Sequence, residues 1–188
     1  LAISLGEEAI ANGAEFIATP EYCGGLKTQG STFAPPSAPE ESHPVLNGLR
    51  AFAKTKNRFV LIGSIAIDGP DNKILNRSFL IDNDGNIVSR YDKIHLFDIN
   101  LSEQQSYCES ATVRGGNNAV LCQTPFAKMG QTVCYDLRFP KLYRELSQSG
   151  AEILFVPAAF TQKTGEAHWH VLNRARAIEN GAFVLAPC

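Results

Sequence analysis

The 188-residue chain is 44% hydrophobic, enough to bury one sizeable core, so a single domain over residues 1–188 is expected. A net charge of −2 gives no electrostatic reason for nucleic acid or an anionic membrane as partner. No apolar run approaches the roughly 20 residues that cross a bilayer, so no membrane span is expected. The five cysteines are odd in number and lack a C-x-x-C pair. Free thiols in a reducing compartment, the cytoplasm, follow as the expectation.

Residues 1–10 carry Leu1, Leu5, Ala9 and Ile10 on one helical face, and Asn12-Gly13 ends the helix. Residues 14–18 read as a short apolar strand that stops at Thr19-Pro20-Glu21-Tyr22-Cys23-Gly24-Gly25. From there to Ser42 the chain is rich in Pro, Ser and Gly and reads as a long loop. Residues 44–56 keep helical spacing through Val45, Leu49, Phe52 and Ala53. Residues 58–67 form the strongest strand, and their near-continuous apolar character predicts burial on both faces.

Two further strands, 74–82 and 87–93, flank Asn83-Asp84-Gly85-Asn86, a hairpin signal. On a period of two, Ile87, Ser89, Tyr91 and Lys93 share a face. Residues 95–118 show no sustained period and read as a second long connection. A brief strand at 119–122 precedes Thr124-Pro125. The run from Lys128 to Val133 then leads into Cys134, a polar turn with Asp136, Arg138 and Pro140, and a helix over 139–148. Residues 152–156 form a buried strand ended by Pro157, and 158–166 a loop. A helix over 167–179 is expected to turn Leu172, Ala175 and Ile178 inward, with Asn180-Gly181 as its cap and a last strand over 182–186. Alternating strands and helices with an inserted hairpin predict an α/β or layered α+β class. Leu1 opens inside a helical pattern and Cys188 follows an apolar run, so both ends read as interior points of a longer domain.

Three reactive groups stand where strands run out: Glu21, Lys93 and Cys134. Open α/β sheets gather ligands at strand ends, which makes a common pocket plausible. Taken alone, Cys134 is as well explained as a small buried hydrophobe. The turn and helix after it would instead favour a thiolate and an oxyanion formed beside it. An acid, an amine and a thiol together are what covalent acyl transfer requires.

The three blocks resemble the nitrilase, or carbon–nitrogen hydrolase, superfamily. Ala14-Glu15-Phe16-Ile17-Ala18-Thr19-Pro20-Glu21 is similar to its general-base block, Arg90-Tyr91-Asp92-Lys93-Ile94-His95-Leu96-Phe97 to its lysine block, and Val133-Cys134-Tyr135-Asp136-Leu137-Arg138-Phe139-Pro140 to its nucleophile block. Glu109-Ser110 stands where the family has a second glutamate near the site, although Glu103 lies in the same connection. Thr164-Gly165-Glu166-Ala167-His168-Trp169 and Arg174-Ala175-Arg176-Ala177-Ile178-Glu179-Asn180 resemble the family's downstream region. The wording of the blocks resembles in particular the branch of small-acid amidases that contains deaminated-glutathione amidase and ω-amidase. The resemblance implies a four-layer α-β-β-α sandwich, here truncated at both ends, and hydrolysis of a small carboxylate-bearing amide with ammonia as product. It implies catalysis by Glu21, Lys93, Cys134 and Glu109, and an oxyanion site that uses the Tyr135 N–H. Substrate contacts from Arg138, Phe160 and Thr161, no cofactor or metal, and homodimers or larger assemblies are also implied.

Two readings compete within the same residues. A Cys–His hydrolase would pair Cys134 with His43, His95 or His168, and an inert binding domain would leave the thiol unreactive. Asp136 and Arg138 are expected to hold the turn rather than bind substrate, though Arg138 suits a carboxylate. His168 and His170, two apart on a helix, point to nearly opposite sides and cannot share a metal ion. Cys23, two residues after Glu21, is a second thiol but has no helix terminus behind it.

Overall fold

The computed structural model describes residues 1–29, 32–102 and 105–188. Helix α1 (Ala2–Ala11) leads into strand β1 (Phe16–Ala18). The Pro- and Gly-rich stretch then forms three two-residue strands, β2 (Thr28–Gln29), β3 (Thr32–Phe33) and β4 (Ser37–Ala38), before a 3-10 turn and helix α2 (Pro44–Lys56). Strands β5 (Phe59–Asp68), β6 (Ile74–Ile81) and β7 (Ile87–Asp92) follow. The connection expected to be irregular contains an antiparallel pair, β8 (Asp98–Ser102) and β9 (Gln105–Cys108), then a 3-10 turn at Glu109–Ala111. The remainder runs β10 (Val120–Gln123), β11 (Lys128–Gln131), a 3-10 turn at Cys134–Arg138, α3 (Pro140–Gln148), β12 (Ile153–Phe155), α4 (Gln162–Asn180) and β13 (Phe183–Leu185). Glu103 lies outside the described residues.

One sheet has the order β1-β5-β6-β7, with β4 also paired to β5, and the other the order β10-β11-β12-β13. Three apolar clusters stack these sheets into layers. Leu46, Leu49, Phe52 and Ala53 of α2 pack on Val60, Ile62, Ile65 and Ile67 of β5, with Ala9 and Ile10 of α1 at the margin. Leu61 and Leu80 of the first sheet meet Met129 and Phe155 of the second. Leu142, Tyr143 and Leu146 of α3 cover Leu154 and Val156 on the far face, joined by Trp169 and Leu172 of α4. The order is therefore helix, sheet, sheet, helix, the four-layer sandwich that the family resemblance implied. Being an inner layer, β5 is buried on both faces from Val60 to Ile67, as its unalternating sequence predicts.

The pairing of β5 with β6 shifts register between Ile62 and Ile65. Val60 and Ile62 face the helices before the shift, and Ile65 and Ile67 face them after it. One extra residue thus changes the parity of the strand beside the site, as β-bulges do. A second shift, between Leu80 and Ile81, separates Ile87 from Ser89. Ile87 packs towards α2, whereas Ser89 reaches Gln131 across the sheet interface at 2.6 Å. The expectation of one face for Ile87, Ser89, Tyr91 and Lys93 therefore fails at Ile87, because a bulge resets the period.

Two further expectations are corrected. Helix α4 begins at Gln162, so most of the expected 158–166 loop is helical. Ile178 is 77% exposed, while Arg176 on the same helix is buried. The inward stripe is Trp169, Leu172 and Arg176, spaced three and four apart. Arg176 is drawn in because Nε and Nη2 both donate to the Leu137 carbonyl, at 3.0 and 2.8 Å. Counting only apolar positions selects the wrong face. Gly181 does end the helix in left-handed geometry, with φ 59°.

Candidate active site

Glu21, Lys93, Cys134 and Glu109 come from four separate exits: after β1, after β7, after β11 and after β9. All are buried, and all line one cavity of about 210 Å³. Lys93 Nζ donates to Glu21 Oε1 at 3.0 Å and to Glu109 Oε1 and Oε2 at 3.1 and 2.9 Å. Glu21 also faces Cys134, whose thiol helps to hold the Glu21 carboxyl below its ordinary value. Its other oxygen, Oε2, accepts the Ala159 N–H at 2.9 Å, and Glu109 Oε2 accepts the Phe97 N–H.

The bulge in β5 builds the glutamate end of this array. The Tyr22 N–H donates to Ser64 Oγ at 3.0 Å and the Cys23 N–H to the Ser64 carbonyl at 3.1 Å. These bonds hold Tyr22 at φ 50°, an uncommon conformation for a bulky residue. Cys134 is itself at φ 48°, and its N–H donates to the Pro157 carbonyl at 2.9 Å. The thiol thus stands on a strained turn at the first position of its 3-10 segment. Amides in such a first turn lack partners within the turn, and the Tyr135 N–H is one of them.

Asp136 fixes that turn. Its carboxyl accepts from the Tyr91 hydroxyl at 2.7 Å, the Val133 N–H at 2.8 Å and the His95 N–H at 3.0 Å, and it contacts His95 Nδ1 at 2.7 Å. The lysine block and the nucleophile block are therefore bound to each other through one buried carboxyl, the structural role expected of it. Arg138 does not pair with Asp136. Its guanidinium lies 5.7 Å from the Tyr135 ring and 5.5 Å from the Phe160 ring, with Nη1 3.2 Å from His168 Nδ1. Tyr135, Phe160 and Thr161 line the cavity, and Arg138 stands behind two of them.

Electrostatics set the resting protonation. For Cys134, burial and the adjacent Glu21 charge push the thiol well above its ordinary value, and Lys93 only partly opposes them. This reverses the expectation that the turn holds a thiolate: desolvation outweighs the local amides. Burial also works against Glu21 ionisation, but Lys93 and the bonds from Cys134, Lys93 and Asn76 together bring its carboxyl below the ordinary value. Burial opposes the Lys93 charge too, and Glu21 and Glu109 overcome it, raising the ammonium well above its usual range. The site rests as carboxylate, ammonium and neutral thiol.

None of the four histidines lines this cavity. His95 is held by Asp136 and stacked on Phe139 with centroids 3.6 Å apart, and His168 faces Arg138. Cys23 is mostly buried, and burial raises its thiol as well. Sequence reasoning missed Asn76, which donates to Glu21 and Glu109, and the aromatic walls formed by Tyr22, Phe97 and Tyr107. The available signal for Asn76 was a carboxamide in a strand that also carries Arg77 and Ser78 between its apolar ends, too weak to single it out.

The architecture and this buried acid–amine–thiol cluster define a nitrilase-superfamily protein. The structure superposes on the Caenorhabditis elegans NitFhit protein with a TM-score of 0.84 at 29% identity, covering 96% of this chain and 44% of that one. It superposes on Saccharomyces cerevisiae Nit3, described as a member of branch 10 of the nitrilase superfamily, with a TM-score of 0.83 at 27% identity, covering 99% and 67%. A deaminated glutathione amidase from Yersinia enterocolitica is 40% identical over 93% of this chain and 62% of its own length. The omega-amidase NIT2 of Mus musculus is 34% identical over 97% and 65%. The carbon–nitrogen hydrolase family model matches residues 1–188, and the chain belongs to that family. It spans about half to two thirds of the length of the curated relatives it matches. Among the described residues, no helix is long and apolar enough to cross a membrane.

Proposed function

We propose that this protein is an amidase that hydrolyses a small carboxylate-bearing amide through a thioester on Cys134. The carrying observation is the buried Glu21 carboxylate, hydrogen-bonded to the Lys93 ammonium and lining the same cavity as the Cys134 thiol. Because the thiol is neutral at rest, Glu21 takes its proton as sulfur attacks the amide carbonyl carbon. Lys93 and the Tyr135 N–H stabilise the oxyanion. Collapse of the tetrahedral adduct breaks the C–N bond, and the leaving nitrogen takes the proton from Glu21 and departs as ammonia. Water then gives a proton to Glu21 and attacks the thioester. The acid is released, and the proton returns to sulfur. Glu109 orients Lys93 throughout.

The names of the amidase relatives support a small acid amide as substrate, and Arg138 behind the aromatic wall suits its distal carboxylate. Five free cysteines support a reducing, cytoplasmic setting. Exposed Val171, Ile178 and Phe183 on α4 and β13 support self-association into a homodimer.

Intact mass during turnover of a panel of ω-amides is expected to reveal an acyl adduct on the wild-type chain. Cys134→Ala is expected to show none, and Glu21→Gln to lose ammonia release. An adduct persisting in Cys134→Ala would overturn the mechanism. Glu21→Gln retaining activity while a single histidine variant loses it would favour the Cys–His alternative.

A further inference from the structure

Asn76 sits in β6 with no exposed surface. Its Nδ2 donates to Glu21 Oε1 at 2.9 Å and to Glu109 Oε1 at 3.2 Å. Carboxylate oxygens only accept, so the amide nitrogen must face them, whatever else the side chain would prefer. The consequence is visible on the other atom: Oδ1 is buried and has no hydrogen-bond partner. Buried unpaired acceptors are rare and destabilising. On this face a strand selected for stability alone would carry an aliphatic residue, as at Leu80, or a polar one that is fully bonded, as Ser78 is to the Ile62 carbonyl and Gln131. The reason for a carboxamide therefore lies in the two carboxyls it joins.

We propose that Asn76 is a positioning residue that bridges Glu21 and Glu109, so that Lys93 is shared between them and Glu21 remains available to the Cys134 proton. The inference rests on Glu21 being the base. Lys93 makes one bond to Glu21 and two to Glu109, so without the bridge the ammonium closes on Glu109. Of the hydrogen bonds that Glu21 accepts, the one from the Ala159 N–H would then remain. The groups facing Glu21 are Lys93 beyond β7, Glu109 beyond β9, Tyr22 beside it in the chain, and Cys134. A bond donated to the charged form favours ionisation, so its loss makes Glu21 hold a proton to higher pH.

The test follows alkylation of Cys134 by iodoacetamide against pH, quantified on the Cys134 peptide by mass. In Asn76→Leu the acid limb is expected to move to higher pH, with rates at its foot about tenfold lower, in line with loss of a hydrogen bond to a charged group. The melting temperature should stay near that of the parent, because the variant also removes the orphaned carbonyl. Asn76→Ser, which retains one donor, should fall between the two. An unmoved limb in either folded variant overturns the proposal. Failure of both variants to fold does so as well, because it makes Asn76 part of the scaffold. Alkylation needs no amide substrate. A shifted limb in a chain that turns over no amide would therefore sink the amidase reading alone, and an unshifted limb in an active chain would sink the Asn76 bridge alone.

Discussion

Lys93→Met is expected to abolish acyl-enzyme formation and to invert the acid side of the stability profile. In the wild type, the raised Lys93 ammonium contributes stability that is fully present below its unfolded value of 10.5 and is lost as pH rises through the folded one. The lowered Glu21 carboxyl contributes stability present above its unfolded value of 4.5 and lost as pH falls through the folded one. The pair is therefore most stabilising between those limits. Methionine keeps most of the side-chain length and removes the charge, leaving Glu21 and Glu109 buried together with no cation. Breaking a buried ion pair in this way costs about 3–5 kcal/mol at neutral pH. One of the two carboxyls must then hold a proton, because like charges at this separation cannot both ionise cheaply. Relative to the parent, the variant should become more stable as pH falls from about 7 towards 5, a range in which the buried His43 acts alike on both chains and neither Lys93 nor Glu21 of the parent titrates. Thermal melts across that range decide the matter, and a profile parallel to the parent's would show that Lys93 does not neutralise this pair. Chemistry should fail at every pH, because the oxyanion loses its charged partner.

The residues that carry this argument stood out in the sequence through three ordered blocks that together resemble one family; taken alone, Glu21 and Lys93 read as solvated strand-end charges and Cys134 as a small buried hydrophobe. Pro20 stops β1 just before Glu21, the Asp-Gly turn sets up the strand that delivers Lys93, and Asp136 and Pro140 mark the turn at Cys134. The continuous apolar run of β5 announced an inner strand, and α2 followed its helical spacing to the residue. What could not be read are features created by pairing. The register shift in β5 and the shift that turns Ile87 towards α2 depend on a partner strand. The inward turn of Arg176 depends on a carbonyl in another element, Leu137, and no helical period reports it. The protonation of Cys134 was misjudged for the same reason. Local sequence shows the turn amides that favour a thiolate, but desolvation and the charge of Glu21 arrive from distant residues and prevail.

Gly63→Ala is expected to cost more than the same change at any other described glycine and to disturb the site along with the fold. A Cβ at Gly63 would lie within van der Waals contact of the Thr19 carbonyl oxygen, 2.5 Å from the Pro20 carbonyl oxygen and 2.6 Å from Pro157 Cβ. None of these is the end of a flexible side chain. The first two belong to the backbone that delivers Glu21, and the third precedes Ala159, whose N–H holds Glu21 Oε2. Two strand exits from two different sheets converge here, and only the absence of a side chain lets β5 pass between them. Overpacking of a well-packed interior costs about 1–3 kcal/mol, and three rigid neighbours put this position at the upper end. Relief by moving the Thr19–Pro20 backbone would displace Glu21, so on the proposed mechanism Cys134 alkylation should lose its Glu21-dependent acid limb even at temperatures where the variant is folded. Gly48→Ala supplies the control. That glycine lies inside α2 with nothing within 4 Å of its added Cβ, so the same methyl there should stabilise by about 0.5–1 kcal/mol. Opposite signs for one chemical change, read as shifts in melting temperature, are the expected result. Equal tolerance at both positions would show that β5 does not set the approach of the two strand exits.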